Sequence, residues 1–258
     1  MKIQIEQKKL MEILDYLYVD GLFPFAIVTA KNGKLLSIQT DKDGFAFRYA
    51  EFLSDYFKEI TDTDEPLKID VEKVKGFVRL RPNDAIITLE YPSPEAKNKL
   101  KISGGRAHNN LAVTHVDPSE VKTKLPFEIK DGIPYIKNGQ TALDNKVSIS
   151  LSSLNEIKDY ATQHGTEFFR FKIGPDQKLV VYVGDVHALE DFTDFEPNCQ
   201  VFATKGELDV TFTKGIKELA KTFSSDVNIS MRSNLPAWFS EVNQSRKFGV
   251  LLSPMRGK

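Results

Sequence analysis

The stretch Asp209–Met255, DVTFTKGIKELAKTFSSDVNISMRSNLPAWFSEVNQSRKFGVLLSPM, constrains the fold more than any other part of the chain. Asp209 to Phe212 alternates polar and apolar side chains with period two, as a half-buried strand does. The spacing then predicts a helix entered at Lys214, with Ile216, Leu219, Ala220 and Phe223 on one face. Lys214, Lys217 and Lys221 stand at i, i+3 and i+7 on the other side. Val227 to Met231, Ala237 to Val242 and Phe248 to Leu252 follow as strands. The segment closes on the apolar run Leu251, Leu252, Ser253, Pro254 and Met255, where a chain end is ordinarily polar.

The same grammar is written earlier. Lys2 to Glu6 alternates as a strand, and Leu10, Ile13, Leu14 and Leu17 mark a helix over Lys8 to Tyr18. Pro24 to Thr29, Leu35 to Thr40 and Phe45 to Tyr49 are short strands split by Lys-Asn-Gly and Asp-Lys-Asp-Gly turns. After a strand at Leu67 to Val71, a second helix runs through Val74, Phe77 and Val78 and stops before Pro82. Ala85 to Tyr91, Lys99 to Ser103 and Asn109 to Val116 complete this half. Strands at Lys146 to Ser150, Phe168 to Ile173, Leu179 to Val183, Gln200 to Thr204 and Glu207 to Phe212 open the second half. A helix face at Leu154, Ile157 and Ala161 lies among them. The pattern predicts an internal duplication of an α+β unit, each copy with two helices packed on antiparallel sheets. The expected boundaries are 1–117 and 144–258, with 118–143 as a connector rich in Pro, Lys, Asp and Gly. Within the connector, Phe127 to Ile136 suits a small hairpin around Lys130-Asp131-Gly132.

Charge is sorted along this pattern. The chain carries a net −1, so no global basic excess points to nucleic acid. The four helices nevertheless hold ten cations, Lys8, Lys9, Lys73, Lys75, Arg79, Arg81, Lys158, Lys214, Lys217 and Lys221. Against them stand six acids, Glu12, Asp15, Glu72, Glu156, Asp159 and Glu218, which leaves the helices with an excess of four positive charges. Lysines on the polar side of an amphipathic helix are also what a merely solvated face carries. Recurrence in both halves favours a functional surface.

The order of elements resembles that of the DNA sliding clamps of the proliferating-cell-nuclear-antigen type, most closely over residues 200–256. DVEKVKGFVRLRPNDAIITLEY, residues 70–91, is similar to that family's second helix and the strand after it. The pair Lys8-Lys9 and the loop Thr40-Asp41-Lys42-Asp43 fall in matching places. Gly44 stands where the family has a loop histidine, and the connector is longer than usual. These departures fit a divergent member, of archaeal or viral type. The resemblance implies the clamp fold, with two similar domains per chain and three chains closing a ring of six around duplex DNA. It implies DNA-facing cations at Lys8, Lys9, Lys73, Lys75, Arg79, Lys158, Lys214, Lys217 and Lys221. It implies a partner-peptide pocket at Phe45, Val116, Val121, Leu125, Leu235, Pro236, Leu251, Leu252, Pro254 and Met255. Subunit contact would use strands at Asn109 to Asp117 and about Ala188 to Glu196. The implied partners are a DNA polymerase, a clamp loader and other peptide-motif proteins, in replication and repair. No cofactor and no metal are implied.

Nothing catalytic stands out. His108, His115, His164 and His187 are scattered, with no metal-ligand spacing. His164 before Gly165 suits a helix end, Ser152-Ser153 suits a helix cap, and Gly104-Gly105-Arg106 reads as a turn. Trp238 beside Phe239 reads as core. One cysteine, Cys199, excludes an internal disulfide. Neither a signal peptide nor an 18-residue apolar run is present, so an intracellular protein without a membrane span is expected. Two other functions fit the same residues. One is a clamp-fold regulatory or hetero-oligomeric subunit that binds a true clamp; the other is a small-molecule enzyme of α+β fold, which would need a polar cluster in a cleft.

Overall fold

The structure is a computed structural model and describes residues 1–63, 65–94, 96–114, 116–122, 124–130, 133–136, 140–184, 191–203 and 205–255. The first half holds β1 (Lys2–Glu6), α1 (Gln7–Leu17), β2 (Phe25–Lys31), β3 (Lys34–Thr40), β4 (Ala46–Phe52) and β5 (Glu59–Ile60). It continues with β6 (Leu67–Asp70), α2 (Val71–Arg79), β7 (Ile86–Glu90), β8 (Lys99–Gly104) and β9 (Ala107–Ala112). Three short strands follow, β10 (Glu128–Lys130), β11 (Ile133–Tyr135) and β12 (Thr141–Ala142). The second half begins with β13 (Asn145–Ile149), α3 (Leu151–His164), β14 (Phe169–Ile173), β15 (Leu179–Val183), β16 (Thr193–Phe195) and β17 (Cys199–Ala203). It ends with β18 (Leu208–Phe212), α4 (Ile216–Thr222), β19 (Val227–Met231), β20 (Ala237–Val242) and β21 (Arg246–Leu252).

Element for element, the second half repeats the first, and the sheets repeat with it. Strand order β5-β1-β7-β8-β9 returns as β17-β13-β19-β20-β21, and β6-β2-β3-β4 returns as β18-β14-β15-β16. Adding twelve to each strand number converts one set into the other, so the expected duplication holds at the level of topology. All the strand pairs whose register is defined are antiparallel.

By packing, the chain divides into two compact units. Unit 1 is Met1–Asp41, Arg48–Lys124 and Val242–Phe248; unit 2 is Lys42–Phe47, Leu125–Glu241 and Gly249–Lys258. In unit 1 the alternation of β1 buries Ile3 and Ile5, and α1 turns Leu10, Ile13, Leu14 and Leu17 inward. Arg48 is fully buried there. Its guanidinium donates to the Leu17 carbonyl at the end of α1, to Ser37 Oγ at 2.9 Å and to Gln39 Oε1 at 3.1 Å, and it stacks on Phe23. Desolvation lowers its pKa to about 9, so it is still charged at neutral pH. A cation at a helix C-terminus also meets the negative end of the helix dipole.

In unit 2, β14, β15 and β18 alternate strictly and bury Phe169, Phe171, Ile173, Leu179, Val181, Val183, Leu208, Val210 and Phe212. Trp238 is core, as its neighbours suggest, with Phe127 packed edge-on at 4.8 Å. Gly249 is needed beneath it: a Cβ there would lie 2.2 Å and 2.4 Å from two atoms of the Trp238 ring. Gly249→Ala is therefore expected to cost about 1–3 kcal/mol through forced repacking. Denaturant unfolding checks this, and an unchanged midpoint would show that Trp238 gives way freely.

Several local expectations shift. The helix expected from Lys214 starts at Ile216, because Gly215 has φ +92°, outside the range of helical backbone. Lys214 therefore precedes the helix. The cap of α3 is Ser150 rather than Ser152-Ser153, and it accepts from the Ser153 N–H at 3.2 Å. His164 lies in the last turn of α3, and Gly165 ends the helix in the left-handed region as its C-cap. The hairpin expected around Lys130 forms as β10 and β11, while Asp131 and Gly132 lie outside the described residues. So do His115, His187 and the stretch Ala188 to Glu190 of the expected edge strand. Among the described residues, no helix is long and apolar enough to cross a membrane.

Candidate functional site

In unit 1, Asp70 caps α2 by accepting the Lys73 N–H at 3.0 Å, which sets the helix that carries Lys73 and Arg79. Both side chains are exposed, as is Lys8 on α1, while Lys9 is half-buried near the Tyr56 ring. α1 packs beside α2. The two acids of α1 are both paired, Glu12 half-buried and Asp15 exposed, while Glu72 on α2 is exposed. Glu12 accepts from Tyr56 Oη at 2.9 Å and from Arg246, a residue 234 positions away that also stacks over Tyr16. Asp15 takes Lys75 at 2.5 Å.

Lys75 departs from the expected solvent-facing cation. It is 9% exposed, its ammonium lies on Asp15, and the Tyr18 ring is 5.3 Å away. The helical face of unit 1 thus rests on Lys8, Lys9, Lys73 and Arg79.

In unit 2, α3 packs beside α4. Lys221 is exposed and Lys217 half-buried on α4. Lys158 on α3 is half-buried, 3.0 Å from Asn155 Oδ1 and 3.7 Å from Asp159. Glu218, another acid on these helices, is turned back to the helix start, where it accepts the Gly215 N–H at 3.2 Å. Lys214 precedes α4, and its ammonium lies 3.4 Å from Asp43 and 4.7 Å from the centroid of Phe45.

A second candidate site lies on unit 2, a recess of about 350 Å³ lined by Asp209, Val210, Thr211, Ser233, Asn234, Pro254 and Met255. The apolar tail forms one wall because its backbone is tied down. Ser253 N–H donates to the Phe45 carbonyl at 3.0 Å, and Met255 N–H donates to Thr211 O at 2.8 Å on β18. The strand edge is thereby covered where the tail crosses it.

Of the expected pocket residues, Pro254 and Met255 line the recess, and Phe45 holds the tail through its carbonyl. Leu252 is buried core, and Leu251, Leu235, Pro236 and Leu125 are half-buried in unit 2. Val116 and Val121 belong to unit 1. Asp209, Thr211, Ser233 and Asn234 were not anticipated. The outward positions of β18 and the polar turn before Leu235 were the signals that could have found them. Asp209 is held by Arg170 through two bonds, 2.8 Å and 2.5 Å, and these raise the guanidinium's pKa.

No three His, Cys, Asp or Glu side chains among the described residues are grouped to hold a metal ion. No family model and no curated protein sequence matches the chain. Solved structures do. The proliferating cellular nuclear antigen of Entamoeba histolytica matches 98% of this chain and 98% of its own, with TM-score 0.76 and 12% identity. A structure of the C-terminal region of FEN-1 bound to A. fulgidus PCNA matches 100% and 99%, with TM-score 0.73 and 16% identity. PCNA from Thermococcus kodakaraensis matches 98% and 99%, with TM-score 0.73 and 11% identity. At such identities the likeness establishes the fold. The chain has the clamp fold, and within it the architecture of the proliferating-cell-nuclear-antigen type.

Proposed function

We propose that the protein is a DNA sliding clamp, a processivity factor that encircles duplex DNA and tethers polymerase and other replication or repair proteins. The observation that carries this reading is the full-length clamp fold together with the exposed or half-buried cations on all four helices. Lys8, Lys9, Lys73, Arg79, Lys158, Lys217 and Lys221 would meet phosphates without reading bases, the requirement for a protein that slides. The protein then acts topologically, on chromosomal or viral DNA inside the cell, and needs no catalytic group. The halves 1–117 and 144–258, joined by 118–143, would each serve as one clamp domain.

The recess on unit 2 is the proposed seat for a partner's peptide, with Pro254 and Met255 as its apolar part. A FEN-1 segment bound to a protein of the same fold supports that reading. Ring closure would use β9, whose outer edge is open among the described residues.

Light scattering after size exclusion tests the ring. Three chains of 29.2 kDa, about 88 kDa, are expected for a self-closed homotrimer. A mass of one chain that persists at high concentration would reject it in favour of a subunit that joins another clamp.

A further inference from the structure

We propose that Lys214 selects the partner segment at the unit 2 recess by meeting a carboxylate that the segment carries beside its apolar residues. The proposal rests on reading the recess as a peptide site. Lys214 is excluded from α4 by the turn at Gly215 and is held instead at the Phe45 end of the tail. Phe45 in turn accepts the Ser253 N–H, two residues before Met255 reaches the recess wall. Phe45 therefore links the two: its ring faces the Lys214 ammonium, and its carbonyl holds the tail at Ser253, next to Pro254 of the recess wall.

The charges around it decide the chemistry of the occupant. Asp209, within the recess, is taken by the fork of Arg170, and the rest of the polar wall is hydroxyl and amide from Thr211, Ser233 and Asn234. Lys214 has three donors, and its contact with Asp43 is long, 3.4 Å, with the Asp43 side chain 70% exposed. Such a pair contributes little by itself. The Phe45 ring holds the ammonium in place and removes part of its water, so a second carboxylate arriving with an apolar segment finds a positioned cation with spare donors. A basic segment would instead meet Lys214, with the Asp209 carboxylate already held by Arg170. The occupant is thus an acidic peptide, with Asp or Glu next to the residues that cover Pro254 and Met255.

The test is selection from a displayed library of random peptides about twelve residues long on the full chain and its variants. Wild type is expected to select an apolar pair with Asp or Glu at one fixed spacing. Lys214→Glu should bind those peptides roughly tenfold more weakly and select Lys or Arg at that spacing, while Lys214→Arg keeps the original preference. Met255→Lys should lose all of them. If Lys214→Glu binds the same acidic peptides undiminished while Met255→Lys loses them, the role of Lys214 is overturned and the recess stands. If Met255→Lys also binds them undiminished, or wild type selects nothing, both readings fall. Matching thermal unfolding of the variants confirms that each is folded.

Discussion

Phe171→Ala is expected to lower the unfolding free energy by about 3–5 kcal/mol, the largest single effect in the second unit. Phe171 is fully buried on β14, with Phe212 at 5.9 Å and Phe239 at 6.4 Å, and Phe212 and Phe239 are themselves 5.9 Å apart. Each pair is near edge-on, the arrangement favoured by ring quadrupoles. Removing this ring forfeits its own transfer from water and takes one ring contact from each of Phe212 and Phe239. The surrounding strands are paired on both sides of β14, so the sheet cannot close over the gap cheaply. Urea unfolding followed by circular dichroism reads the loss. A decrease below about 1 kcal/mol would mean that the three rings do not form the core of that sheet.

The positions that sequence reading places well are those governed by local periodicity. The ranges of β1, β15 and β19 follow directly from alternation, and Phe169, Phe171 and Ile173 face inward because their polar neighbours Arg170 and Lys172 cannot. Helix faces were legible for the same reason. Two kinds of feature escaped. One is local but conformational: Gly215 adopts positive φ and moves the start of α4, so Lys214 precedes the helix. The other is long-range pairing. Glu12 looks like an acid on an exposed helical side until Arg246 reaches it, and Lys75 looks like a surface cation until Asp15 and Tyr18 bury it. No period records a partner across the chain. The recess is intermediate: its apolar wall, Pro254 and Met255, was legible, but its polar wall depends on which turn stands beside β18.

Reversing Lys73, Arg79, Lys217 and Lys221 together to Glu is expected to weaken duplex DNA binding roughly a thousandfold near physiological salt. Lys73, Arg79 and Lys221 are exposed and Lys217 half-buried, and all four lie on helices, so the substitutions leave the buried apolar faces untouched. Each cation that neutralises a phosphate releases counterions and steepens the dependence of affinity on salt by about 0.9 in logarithmic slope. Losing four should therefore flatten that slope by between three and four, an effect that a general loss of stability does not mimic. Polymerase processivity on primed circular templates should fall with it. The matching control reverses Lys31, Lys97, Lys124 and Lys172, four exposed lysines outside the helices, for the same change in net charge. If both quadruple variants lose affinity equally, the attraction belongs to the net charge of the whole protein and the helical face has no special part. A flattened slope in the helix variant alone assigns DNA contact to α2 and α4, because only a located charge can distinguish the two sets.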